Sequence, residues 1–122
     1  MAYTQSGTVS TDNSSTAVLS AGATFTGTGV LVVGYPSVVV AAKTDQAGTL
    51  YIDFSSDNSN WDSNLSFSVA AATNEVHRIT VTRAYFRVRF TNTSASLQTY
   101  FRLQSLLGGQ TQLTSSLNST IQ

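Results

Sequence analysis

Thr49-Leu50-Tyr51-Ile52-Asp53-Phe54-Ser55 and Tyr85-Phe86-Arg87-Val88-Arg89-Phe90-Thr91 share one pattern, an apolar side chain at every second position. Successive side chains of a strand point to opposite faces, so period two marks a strand with one buried and one solvated side. Leu50, Ile52 and Phe54 are therefore expected inside, with Tyr51 and Asp53 outside. By the same rule Phe86, Val88 and Phe90 face in, while Tyr85, Arg87 and Arg89 face out. Leu97 to Leu107 continues the pattern, with Leu97, Phe101 and Leu103 inward and Gln98, Arg102 and Gln104 outward. Strands with one apolar face each need a second sheet to cover them, which points to an antiparallel β-sandwich.

Around these strands residues of high β-propensity dominate, and Gly, Asn, Asp and Ser interrupt them at intervals of about ten residues. Thr16 to Leu19 reads as a short strand closed by Ser20-Ala21-Gly22. Thr24 to Val33 reads as a strand with a bulge or bend at Gly27 and Gly29. Gly34-Tyr35-Pro36-Ser37 is a turn, and Val38 to Lys43, apolar on both faces, suits a central strand covered on both sides. Further strands follow at Leu65 to Val69 and Glu75 to Val81. The sum is about eight strands, the number of a jelly roll. Residues 16–107 form the sandwich domain on this reading, with an N-terminal arm at 1–15 and a C-terminal arm at 108–122. In the C-terminal arm Leu113, Leu117 and Ile121 are the apolar anchors, expected to dock on a neighbouring subunit, with a frayed tail as the alternative.

Composition narrows the class. The chain has 122 residues, one domain's worth, and no cysteine, so neither disulfides nor thiolate metal sites hold it together. Only 10% of residues are charged, against about a quarter in ordinary soluble domains. The polar surface is Ser, Thr, Asn and Gln, and the formal net charge is zero, a balance that favours association. Met1 to Ser6 has no basic region followed by an apolar run, so no signal peptide is expected. Val38 to Ala42, the longest apolar stretch, is far short of the ~20 residues that cross a bilayer, and no membrane role is expected.

All six acidic residues precede His77, and five of the six basic ones (Arg78, Arg83, Arg87, Arg89, Arg102) follow it. An arginine cluster in a neutral chain is a weak nucleic-acid footprint. Cross-strand pairing between acidic and basic strands explains it better, and no nucleic acid is expected.

No catalytic, cofactor-binding or metal residue is assigned. His77, the only histidine, lacks a nucleophile-elbow glycine pattern near any serine and reads as a half-buried strand residue. Asp57-Asn58-Ser59-Asn60-Trp61-Asp62 lacks the glycine and the distal Glu of a calcium loop. It reads as a hairpin turn in which Asp57 and Asn60 bond the local backbone. Trp61, Tyr51 and Tyr100 would serve a carbohydrate-binding sandwich as a stacking platform, the alternative binding role.

Several phrases together resemble a module of virion proteins in tailed bacteriophages. They are Thr24-Phe25-Thr26-Gly27-Thr28-Gly29, Lys43-Thr44-Asp45-Gln46-Ala47-Gly48-Thr49-Leu50-Tyr51, Asn60-Trp61-Asp62-Ser63 and Asn74-Glu75-Val76-His77-Arg78. To these are added Tyr85-Phe86-Arg87-Val88-Arg89-Phe90-Thr91-Asn92, Phe101-Arg102-Leu103-Gln104-Ser105-Leu106-Leu107-Gly108 and Leu117-Asn118-Ser119-Thr120-Ile121. The resemblance implies a jelly-roll structural protein of the virion, made in the host cytoplasm. Its most specific implication is a capsid decoration (cement) protein, a homotrimer that bridges copies of the major capsid protein. A tail, baseplate or fibre adaptor is the alternative virion role. Under either role Arg83, Arg87, Arg89 and Arg102, with Leu113, Leu117 and Ile121, are the expected contacts to capsid or sister subunit, and no enzymatic activity is expected.

Overall fold

The computed structural model describes residues 7–108. They form nine strands and one short 3-10 turn: β1 (Thr8–Val9), the turn (Thr11–Asn13), β2 (Thr24–Thr26), β3 (Val30–Leu31), β4 (Ser37–Thr44), β5 (Gly48–Ser55), β6 (Trp61–Val69), β7 (Glu75–Thr80), β8 (Tyr85–Asn92) and β9 (Phe101–Gly108). Sheet A has the order β1-β9-β4-β7 and sheet B the order β2-β8-β5-β6, with β3 also paired to β8. All pairings are antiparallel. With β3 set aside, the first strand pairs with the last, the second with the last but one, and the chain winds between two sheets of four. That is the jelly-roll order, so the expected fold is the observed one.

The core lies between the sheets. Val38 and Val40 of β4, Leu50, Ile52 and Phe54 of β5, Phe86, Val88 and Phe90 of β8, and Phe101 and Leu103 of β9 are all buried. Phe90 meets Phe101 across the sandwich with ring centroids 5.1 Å apart, and within sheet B Phe54 meets its register partner Phe86 at 5.9 Å. Such tilted pairs add to area burial, and truncating one of these rings to Ala costs about 3–5 kcal/mol.

Several expectations are corrected. Thr16 to Leu19 is not a strand: only Ser15 bridges to Leu103, and the Leu19 N–H donates to the Gln98 side chain. β9 begins at Phe101, so the alternation does not extend to Leu97, which is 57% exposed, while Gln98 is buried. The reason is local. Asp45 accepts from the Thr99 N–H and hydroxyl, and Asn92 donates to the Ser96 carbonyl, which hold residues 93–100 as a loop instead of a strand. β4 is central as expected, but Val39, Ala41 and Lys43 are only half-buried, so its outer side is open. Thr24 to Val33 is broken at Gly27-Thr28-Gly29 into β2 and β3. A Cβ on Gly27 would collide with the Asn13 side chain, and one on Gly29 with Asn58 and Trp61.

The second half of the expected N-terminal arm is part of the sandwich. β1 pairs with β9, and Asn13 is fully buried. Its Oδ1 accepts from the Val88 N–H at 2.7 Å, and its Nδ2 donates to the Thr28 carbonyl at 2.9 Å. The Ser105 hydroxyl donates to the Asn13 carbonyl at 2.7 Å, so this residue ties β9 of one sheet to β8 of the other. Leu113, Leu117 and Ile121 lie outside the described residues, as does the rest of the expected C-terminal arm from 109 on.

Candidate interaction faces

The outer face of sheet B is organised around one carboxylate. Strand register sets Asp53 of β5 between Arg87 of β8 and Asn64 of β6, and sets Tyr51 beside Arg89. Asp53 is fully buried although it points away from the core. Four hydrogen bonds reach it: Arg87 Nε at 2.9 Å, Arg89 Nε at 2.7 Å, Arg89 Nη2 at 3.1 Å and Asn64 Nδ2 at 2.8 Å. Burial pushes its carboxyl up, but the bonds from Arg89, Asn64 and Arg87 outweigh this and hold it below the usual carboxylate range. Arg89 is raised in turn, first by its bond to Asp53.

Each guanidinium is fixed a second time by an aromatic ring. Arg87 lies over Trp61 and Arg89 over Tyr51, both 4.3 Å from the ring centroid. The result is a row, Trp61–Arg87–Asp53–Arg89–Tyr51, spanning three strands. Two guanidiniums against one carboxylate leave one positive charge unneutralised, and about a quarter of each arginine side chain stays exposed (24% and 27%). Chemically the row offers flat, pre-ordered N–H donors and ring edges, suited to carboxylate or amide groups of a partner.

The outer face of sheet A is different. Val9, Leu106 and Val39 stand side by side in register, and Val76 lies next to Ala41. Val9 (44%), Leu106 (37%) and Val76 (53%) are exposed. Lys43 and Arg102 sit directly opposite each other, and among the described residues neither pairs with a carboxylate. With Ser14, Ser15, Asn74 and Gln104 they line a shallow groove of about 620 Å³.

The four arginines expected as contact residues do not share one face. Arg87 and Arg89 lie outside sheet B and Arg102 outside sheet A, while Arg83 precedes β8 and makes a long, exposed contact to Asp62 at 3.7 Å. The three proposed platform rings also divide. Trp61 and Tyr51 share a face, each carrying an arginine, whereas Tyr100 stacks on Arg102 by sheet A. His77 is stacked on Phe67 with centroids 3.8 Å apart, and its Nε2 lies 3.3 Å from Glu75 Oε1 without the alignment of a hydrogen bond. In the 56–60 loop Asp57 accepts from the Ser59 and Asn60 N–H groups and from Asn60 Nδ2, the expected turn chemistry. Those bonds, from Asn60 first, drive its carboxyl far below the ordinary range. Among the described residues no group of three or more His, Asp or Glu converges as a metal site.

The buried Asp53 and the buried amides of Asn13, Asn92 and Gln98 were not singled out by sequence reasoning. The signal for Asp53 was present, since it sits in the outward set of β5 while arginines fill the outward set of β8. Which acid meets which arginine depends on register, which alternation alone does not supply.

The fold recurs in a solved structure, the crystal structure of PBSX exported protein XepA, with a TM-score of 0.75 and 23% identity. The match covers 96% of this chain and 42% of that one, so the chain spans less than half of its neighbour's length. No curated protein matches the chain in sequence. The family described as the N-terminal domain of uncharacterised protein YqxG matches residues 2–108, the whole of the jelly roll, and the chain belongs to that family.

Proposed function

We propose that this protein is a non-catalytic structural component of a phage particle. Its specific task is capsid decoration: it binds the outside of the head and bridges neighbouring copies of the major capsid protein. The observation that carries this reading is the Trp61–Arg87–Asp53–Arg89–Tyr51 row. Tryptophan, tyrosine and arginine are the residue types that dominate protein–protein hot spots. Here they are already immobilised, so little side-chain entropy remains to be lost on docking. Membership of the YqxG N-terminal domain family, and a fold shared with a phage exported protein, support the phage setting.

The test is sedimentation of the purified chain with undecorated heads. Binding, with a raised head-disruption temperature, is the expected result. Arg87→Gln should weaken it about tenfold or more, and Arg102→Gln on the opposite face should leave it unchanged. Binding to purified tails and not to heads would replace decoration by the adaptor role. Retention on a glycan column, lost in Trp61→Ala, would replace both by carbohydrate recognition.

A further inference from the structure

The four sheet edges are not equally guarded. Edge strands present unpaired N–H and C=O groups, and proteins blunt them by shortness, charge or irregularity. β1 has two residues, and the β2/β3 edge is split into pieces of three and two. β7 has six residues and carries Glu75, His77 and Arg78. β6 has nine residues and borders only β5. Its one charged residue, Asp62, is the extra residue of a bulge, because Phe54 pairs with Ser63 while Ser55 pairs with Trp61. From Ser63 to Val69 the strand is regular, uncharged and free of proline. Among the described residues its free side makes no backbone hydrogen bond.

We infer that this edge pairs with the same edge of a second copy, antiparallel, about a two-fold axis at Ser66. Self-complementarity selects that occupant and that register. Centring on Ser66 pairs all seven regular residues: Ser63 with Val69, Asn64 with Ser68 and Leu65 with Phe67, each twice. Every pair then lies on one face of the joined sheet, because both members have the same parity. Leu65, exposed at 37%, gains the half-buried Phe67 of the second copy as a cross-strand neighbour. No charge meets a like charge, and the outward pairs are hydroxyls and an amide. The contact is isologous, so it closes on itself as a dimer and does not propagate. It stands apart from the particle reading and survives if heads are not bound.

The test exploits the axis, where Ser66 faces its own copy. Ser66 is exposed and outward, so neither Ser66→Asp nor Ser66→Lys threatens the fold. Light scattering on the full chain should give twice the chain mass. Each variant alone puts like charges face to face, should weaken the dimer roughly tenfold or more and should run as one chain. An equimolar mixture of the two variants should return to twice the chain mass. A single-chain mass for the unaltered protein overturns the inference. So does a mass of two or three chains that neither variant changes, or a mixture that stays monomeric.

Discussion

The outer faces of the two sheets are made by the same strand alternation and reach opposite states. On sheet B, opposite charges fall into register and lock: Asp53 takes up Arg87, Arg89 and Asn64, and the rings of Trp61 and Tyr51 hold the guanidiniums flat. On sheet A, like charges fall into register: Lys43 faces Arg102, beside exposed Val76 and Leu106. Composition is similar on both faces, since each carries cations among apolar and amide side chains. What separates them is a single carboxylate at one register position. Register decides whether the outer face of a sheet is cross-linked by ion pairs or left with like charges unpaired.

Removing that carboxylate should erase the contrast. Asp53→Ala leaves two arginines side by side without a counter-charge and should destabilise the protein by about 3 kcal/mol, read from urea unfolding. A loss below about 1 kcal/mol would mean that the row is ornament on an already stable sheet.

Acid should act in the same direction. The carboxyls of Asp45, Asp53 and Asp57 are all depressed in the folded protein; for Asp45, burial pushes upward, but the bonds from Thr99 bring it to about 2. The unfolded chain therefore binds more protons than the folded one below about pH 4, so stability is full above that pH and falls as pH drops toward 2. Asp53→Asn should flatten this slope in a series of unfolding curves at stepped pH. An unchanged slope would assign the acid sensitivity to Asp45 and Asp57 alone.

A smaller effect tests the rings. A double-mutant cycle on Tyr51→Leu and Arg89→Gln should give a coupling of about 1 kcal/mol, the value of a partly desolvated cation–π contact. On sheet A the expected sign is reversed. Lys43→Glu turns a like-charged cross-strand pair into an attractive one and should stabilise by about 0.5 kcal/mol, most clearly at low salt.

The jelly roll was readable from the chain because β5, β8 and β9 each turn one apolar face to the core. Leu50, Ile52, Phe54, Phe86, Val88, Phe90, Phe101 and Leu103 are in the core, as alternation requires. Failures came where side chains replaced strand pairing. Gln98 is buried and Leu97 exposed because Asp45 captures the Thr99 backbone and bends the chain out of the sheet. Residues 8–15 looked like a polar arm because their anchor is the buried amide of Asn13, and an apolar count is blind to it. The candidate site was half legible. Its residue types stood in the outward sets of β5 and β8, but Arg102 was grouped with them although it belongs to the other sheet.

The Asn13 clasp also bears on how the chain reaches its fold. Its partners are distant in sequence: the Val88 bond spans 75 residues and the Ser105 bond 92. Neither can form until β8 and β9 exist, so the earliest of the described elements in the chain is the last to be secured. Contacts of such separation are slow to close, on the order of milliseconds to seconds even in small β proteins. Until then β1 has no partner strand, and the sheet A position beside β9 stands open to any extended segment that arrives first.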